Sequence, residues 1–406
     1  MSTLEVNKIT PVSGGTTVQV GESGDTITVP SGATITNSGT ANNFTSYRPN
    51  AMPLAYNSNM EVAQYGTSAT GLTNGSSGYH TLDRWKWHEN GSPSSAWTMT
   101  QETLTSGNAY ADGFNNALKI DCTTAQGSLG SGDTLQIEQR WEKQDLGAFK
   151  KGTANAQKFT IAFWVKATKT GTNIVELQDE GNDRAVSATY TVSTTDTWEH
   201  KVVSFPADTT GNFGTGNGLG LILRFYIFAG TNYTSGSLQT SWGASTTNKR
   251  ANGQVNNADS TSNNWHLTGF QMEVGEYTSS TIPPFQHESF GDNLERCQRY
   301  FFKRGGVSRL GFGVGAAHTT STINGIAVYY PTIMRATPTQ SQSASTEFYI
   351  TGNLQNQTAQ SDTFGNEGIS KFGVSLSATG SSLTQGYAYW LNTIDTDGYI
   401  EWSAEL

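Results

Sequence analysis

Two sets of residues in this chain have the types and spacing for chemistry: carboxylates that come in close pairs, and aromatic rings set among polar neighbours. A carboxylate pair held ~5–9.5 Å apart can hydrolyse a glycosidic bond. The candidates are Glu138 with Glu142, and Glu176 with Asp179, Glu180 and Asp183. Spacing along a chain does not place carboxylates in space, and the stretch from Glu176 to Asp183 reads as a polar turn of solvated acids. No catalytic residue is assigned. The chain lacks a GxSxG elbow, an HExxH pair and a phosphate loop. Its six histidines, His80, His88, His200, His266, His287 and His318, stand at no metal-ligand spacing. The Asp-rich runs IDTDG (394–398) and QDEGND (178–183) fall short of a twelve-residue calcium loop. Cys122 and Cys297 cannot form a zinc cluster with scattered histidines, and buried free thiols are expected. The expectation is no metal and no cofactor.

The aromatic candidates point to sugar recognition, in which a ring face stacks on the C–H face of a pyranose while neighbouring polar groups bond its hydroxyls. The run LDRWKWHEN, Leu82 to Asn90, holds two tryptophans, an arginine, an aspartate and a histidine. Leu82 and Trp85 read as framework at the start of a strand, with Asp83 and Arg84 paired at an edge. Trp87 and His88 remain as glycan-binding candidates. Tyr233 and Trp242 are the others, because they lie in a long Gly/Ser/Thr/Asn loop, 231–264, with no strand neighbours to bury them; the alternative is that the loop folds back and the rings fill a local cluster or a subunit contact. Near the C-terminus Tyr329, Tyr330, Tyr387, Tyr389, Trp390, Tyr399 and Trp402 make an aromatic-rich region, of which at most half can be exposed on alternating strands.

The elements that position these residues should be β-strands. Charged residues make up only 14% of the 406, glycine alone supplies 45, and 10 Trp, 16 Tyr and 18 Phe provide the apolar area for a core. Runs such as Leu135, Ile137, Gln139, Trp141 and Phe159, Ile161, Phe163, Val165 alternate cleanly. Residues 49–288 therefore read as one large β-sandwich, for which a jelly roll and a closed barrel both fit. The run GLGLILRFYIFA (218–229) is too short for a bilayer and suits a central strand buried on both faces. Residues 289–304 form a linker with a short helix near 292–303, on which Leu294, Cys297 and Phe301 share a face. Residues 305–406 read as a small distal β domain.

Residues 1–48 are different. Val18 and Val20, Ile27 and Val29, then Ala33 and Ile35 step by two between turn pairs, in stubs too short for one chain to bury. Either three chains share an axial core there, as in a trimeric shaft, or the segment is a disordered linker. The excess of 33 acidic over 24 basic residues, a net charge of −9, disfavours nucleic acid as a partner. No window is apolar enough for membrane insertion, and the N-terminus has no export signal, so synthesis in a cytoplasm is the expectation.

The block ERCQRYFFK after TIPPFQHESFGDN, with LDRW and FWVKA before it and YYPTIMRATPT and SAEL after it, resembles tail-fibre proteins of bacteriophages and cyanophages over most of the chain from Ala51 onward. The opening LEVNKIT resembles the virion-proximal start of marine phage fibres. That resemblance favours the jelly roll, of the carbohydrate-binding-module kind. It implies a homotrimeric virion protein, docked to other tail proteins through its N-terminal segment, that attaches to a host surface glycan or receptor without bond breaking. A polysaccharide depolymerase and a purely architectural appendage are the alternatives.

Overall fold

The computed structural model describes residues 52–352 and 364–406, all within the unit Tyr47–Leu406. The stubs between residues 1 and 48, and with them the shaft and docking expectations, lie outside the described residues. Thirteen strands build the larger part: β1 (Ser68–Leu72), β2 (Gly78–Tyr79), β3 (Lys86–Asn90), β4 (Ala96–Thr103), β5 (Asn116–Thr124), β6 (Thr134–Glu142), β7 (Phe159–Ala167), β8 (Gly171–Asp179), β9 (Arg184–Val192), β10 (Glu199–Phe205), β11 (Leu219–Ala229), β12 (Gly243–Ala244) and β13 (Asn264–Val274). They form a six-stranded sheet ordered β1-β4-β5-β13-β7-β10 and a seven-stranded sheet ordered β12-β9-β8-β11-β6-β3-β2. All neighbours among the described strands pair antiparallel, and the two sheets make a jelly-roll β-sandwich.

Alternation explains which side chains fill it. On β7, Phe159, Ile161, Phe163 and Val165 are all buried in the core, with Phe163 edge-on, at 75°, to Phe225 of β11 from the other sheet, ring centroids 4.9 Å apart. The opposite face of β7 carries Trp164 and Lys166. On β11 the expected double burial holds: every residue from Gly220 to Ala229 is buried. The parity of β13 switches within the strand. Trp265 and Leu267 enter the core, then Phe270, Met272 and Val274 do, with the register shifting between Thr268 and Gln271. An odd step requires one extra residue, a β-bulge, and Gly269 supplies it with φ +59.

Nine further strands follow: β14 (Phe301–Gly305), β15 (Gly311–Ala317), β16 (Thr322–Tyr329), β17 (Thr339–Gln342), β18 (Phe348–Thr351), β19 (Phe364–Ile369), β20 (Gly373–Thr379), β21 (Ala388–Thr393) and β22 (Tyr399–Ser403). They form a three-stranded sheet, β14-β22-β17, and a six-stranded one, β18-β21-β15-β16-β20-β19, around a second core that includes Ile326, Phe348, Leu391 and Trp402. Between the two cores the linking helix runs Phe290–Gln298, opened by Ser289, whose hydroxyl accepts from the Asp292 N–H at 3.2 Å. Its buried face is Asn293 and Cys297, with Leu294 half-buried. Phe301 to Gly305 belong to strand β14, which pairs with β22, because Phe301 is stacked at 3.7 Å on Tyr65 and drawn into the sheet. Cys122 and Cys297 are free and buried.

The chain end returns to the sandwich. Arg84, fully buried with φ +69, pairs with Glu405 and lies 3.5 Å over the Tyr300 ring. The expected Asp83–Arg84 edge pair is therefore divided: Asp83 instead takes the Gln64 backbone N–H at 2.7 Å. Burial, against the bonds from Gln64, raises the Asp83 carboxyl to about 7. Among the described residues no helix is long and apolar enough to cross a membrane.

Candidate functional site

The outer face of the seven-stranded sheet carries a line of charge. Alternation sends Leu135, Ile137 and Trp141 of β6 inward and Gln136, Glu138 and Arg140 outward, opposite Arg224 of β11, which in turn faces Glu176 of β8. Glu138 takes Arg140 at 2.7 Å on one oxygen and Arg224 at 2.7 Å on the other. Glu176 takes Arg224 at 2.8 Å and the loop residue Arg250 at 2.7 Å. Burial opposes ionisation of Glu138, but Arg224 and Arg140 outweigh it and hold the carboxyl down to about 2. Burial likewise opposes Glu176, and Arg250 and Arg224 outweigh it. Each acid is fixed as a carboxylate between arginines, the reverse of a general acid raised toward neutrality.

Glu176 is thus a buried strand residue and not part of a solvated turn, because β8 extends to Asp179 and only Glu180–Asn182 turns. Glu142 is equally committed, to Arg299 at 2.7 Å and to the Tyr300 hydroxyl at 2.7 Å. Asp179 holds Lys151 at 2.6 Å.

The four aromatic and imidazole candidates do not converge. Trp87 pairs in register with Ile137 and shares its inward direction; at 0% exposure its ring offers no face to a sugar. The LDRWKWHEN run hid this, since strand parity assigns Trp87 to the core and Lys86 and His88 to the outside. His88 is half-buried beside Asn90, 3.3 Å from its amide, and burial lowers its pKa. Tyr233 sits on a short helix, Thr231–Thr234, packed on the cluster of Ile174, Tyr226, Ala229 and Ala251. Trp242 donates its indole N–H to the Pro206 carbonyl at 2.8 Å and leans on Phe159. The polar loop folds back, through β12 and several turns, and so buries part of both rings.

A different set of residues does converge, on the outer face of the six-stranded sheet. There a cleft of about 360 Å³ is lined by Trp164, His200, Phe285, His287, Asp112 and Gln271. Trp164 and His200 are directly paired across β7 and β10, with ring centroids 5.1 Å apart at 46°. The far wall is the proline-bearing segment 282–287, tied down by the Gln271 amide, which donates to the Pro283 carbonyl at 3.0 Å. Phe285 stands edge-on to Phe114 at 4.8 Å and to His287 at 4.8 Å, so three rings brace one another. The bulge at Gly269 forms the floor: a Cβ there would lie 2.6 Å from the Phe114 ring. Burial lowers the pKa of His200, with Asp112 across the cleft pulling the other way. At neutral pH the imidazole is therefore mostly neutral, able both to donate and to accept. Trp164 and Phe285 are half-buried, and His200, His287 and Asp112 are exposed. Half-buried rings beside exposed groups that bond hydroxyls are what a sugar-binding cleft requires.

A signal for this cleft was present in the sequence. With Phe159, Ile161, Phe163 and Val165 assigned to one face of FTIAFWVKA, Trp164 is left as a tryptophan at an outward position. Phe285 and His287 alternate in the extended TIPPFQHES approach.

No protein-family model matches the chain, and no curated protein does. Among solved structures, the enzymatically active domain of tailspike protein 4 of bacteriophage CBA120 aligns over 50% of this chain and 21% of its own, with 11% identity and a TM-score of 0.27. The chain thus spans about a fifth of the length of that domain. A family 11 carbohydrate-binding module of a Clostridium thermocellum cellulosomal cellulase aligns over 49% of this chain and 92% of its own, with 7% identity and a TM-score of 0.25. A family 30 carbohydrate-binding module aligns over 56% and 90%, with 13% identity and a TM-score of 0.25. These low scores say nothing of ligand or activity; each is a protein to which this chain bears a partial likeness.

Proposed function

We propose that this chain is a glycan-binding protein of a phage tail fibre, attaching the virion to its host's surface by multivalent contact without cleaving the glycan. The observation that carries the reading is the cleft of Trp164, His200, Phe285 and His287, an open aromatic groove on a rigid sheet. The resemblance to tail-fibre proteins through ERCQRYFFK and its flanks supports the virion setting. Binding without cleavage is supported by the cleft's single lining carboxylate, Asp112, and by the arginine-clamped state of Glu138 and Glu176. One shallow cleft binds weakly; three copies per fibre and several fibres per particle would raise avidity by ~10²–10⁴. The homotrimer, the docking of other tail proteins on the N-terminal segment and the virion location are parts of the same proposal.

The test is binding of the purified full chain to host envelope polysaccharide, alongside Trp164→Ala. The expected result is at least roughly thirtyfold weaker binding by the variant, since loss of a stacking aromatic anchor removes ~2 kcal/mol or more, with no reducing sugar released by either protein. Equal binding by Trp164→Ala would remove the cleft from the account. Steady sugar release would replace attachment by depolymerisation, and failure of the chain to adsorb to host cells would favour the architectural reading. Light scattering bears on the assembly: a mass near three times 43.6 kDa is expected.

A further inference from the structure

We propose that a second cleft, separate from the aromatic one in its lining and its chemistry, is a subsite for an acidic sugar, one carrying a carboxylate or a phosphate. The cleft, of about 200 Å³, lies between the 3₁₀ turn Lys143–Phe149 and the glycine-rich loop around Phe213. Lys143, Lys150 and Lys151 line it, with Leu146 and Phe213 as its apolar part, and no acid is among its lining residues. In a chain with 33 acidic residues against 24 basic ones, that is a local reversal of charge.

The three lysines have different roles. Lys151 is buried and neutralised: its ammonium sits 2.6 Å from Asp179 and 3.1 Å from Asp208, and it also donates to the Gly211 carbonyl at 2.7 Å. It lies 5.3 Å from both the Phe213 and Trp242 rings. Its work is to fix the loop that forms one wall. Lys143 and Lys150 make no ion pair among the described residues, and Lys150 is exposed. The acids nearest in sequence, Glu142 and Asp145, are engaged elsewhere, the first with Arg299 and Tyr300 and the second with the Tyr56 hydroxyl at 2.6 Å. The 3₁₀ turn thus separates its charges, with acids turned to Arg299, Tyr300 and Tyr56 and lysines left to the cleft.

The Lys143 stem runs beside glycines. A Cβ at Gly214 would meet its Cδ at 3.6 Å, and one at Gly218 its Cε at 3.8 Å. These are ordinary van der Waals distances, and the ammonium end of the stem lies beside Gly181, where a Cβ would meet its Nζ at 3.8 Å. Leu146 and Phe213 are both buried and offer no stacking face, so recognition rests on the two ammonium groups and selects the anionic group of an acidic sugar. A neutral sugar would gain nothing from the lysines.

The experiment is calorimetric titration of the full chain with trigalacturonate, with mannose 6-phosphate and with neutral galactotriose, each repeated on Lys143→Gln/Lys150→Gln and on Trp164→Ala. Neither lysine has a partner to orphan, so the double variant should keep the wild-type melting temperature, which is checked first. The expected result is that at least one anionic ligand binds, loses about fivefold or more in affinity in the double variant, and weakens as salt rises, while galactotriose is unaffected by the lysine changes. The two anionic arms distinguish carboxylate from phosphate. Unchanged anionic binding in the double variant, loss of it in Trp164→Ala instead, or no binding of either anion to the wild type would each overturn the subsite. The aromatic cleft is judged separately, by the polysaccharide binding of Trp164→Ala.

Discussion

Glu176→Gln should destabilise the sandwich by about 3 kcal/mol, because it takes one partner out of a buried charge network. Glu176 is wholly buried and receives Arg224 and Arg250 at 2.8 and 2.7 Å. A glutamine keeps the shape but turns an amide N–H toward two guanidinium groups that are themselves only donors. Arg224 retains Glu138, and Arg250 is partly exposed, so the loss falls at the low end of what removing a buried partner costs. Urea denaturation checks it through the midpoint at unchanged m. Asp183→Asn, on an exposed turn at φ +49 that asparagine tolerates, should stay within about 0.5 kcal/mol of wild type. This pair of variants also separates attachment from depolymerisation. A catalytic Glu176 would lose sugar release at unchanged stability; a clamped one loses stability with no sugar release to lose.

The same network predicts the acid side of the stability profile. The Glu138 carboxyl titrates near 2 when folded and at its ordinary value, 4.5, when unfolded. Above the unfolded value its contribution is complete; as pH falls toward 2 the unfolded state binds a proton that the folded state refuses, and the contribution is lost. Asp83 acts in the opposite sense. Its folded value, raised to about 7, means that stability is fullest below about 4 and declines as pH rises to 7. Denaturation midpoints of Glu138→Gln and Asp83→Asn measured from pH 3 to 8 should therefore differ from wild type with opposite pH slopes.

The fold was legible where hydrophobic alternation was undiluted. The strand around Phe159–Val165 is an example, because period-two patterning reports a strand's inner face directly, and the unbroken apolar run buried from Gly220 to Ala229 is another. It was illegible where glycine replaces the apolar signal, as in β15, GFGVGAA, or where a strand is two residues long, as in β2 and β12. The candidate site was harder for a related reason. Exposure of an aromatic was inferred from loop composition, which selected Tyr233 and Trp242, yet the loop folds onto the sheet and buries part of both. Parity was the better guide: it puts Trp87 inside and Trp164 outside. What no local pattern announces is the convergence of Asp112, Trp164, His200 and Phe285, four positions far apart in sequence that only the sheet order brings together.

Gly269→Ala is the second change expected to have a large effect, about 2–5 kcal/mol, from two sources that a control can separate. At φ +59 an L-residue carries the left-handed penalty of roughly 1–2 kcal/mol. The added methyl would also lie 2.6 Å from the Phe114 ring, a buried ring boxed in by Phe285 and His287, and overpacking of that kind costs about 1–3 kcal/mol. Gly71→Ala provides the comparison: φ is +69 there, and nothing stands within 4 Å of the new Cβ, so only the backbone term remains. The difference between the two urea midpoints isolates the crowding at Phe114. Because Phe114 braces the Phe285 wall, the displaced ring has to shift that wall toward Trp164 or away from it. Gly269→Ala, assayed where it is still fully folded, should therefore lose glycan affinity while Gly71→Ala keeps it. Equal midpoints for the two variants would mean that the bulge accommodates a side chain, and the cleft floor would then owe its shape to something other than this glycine.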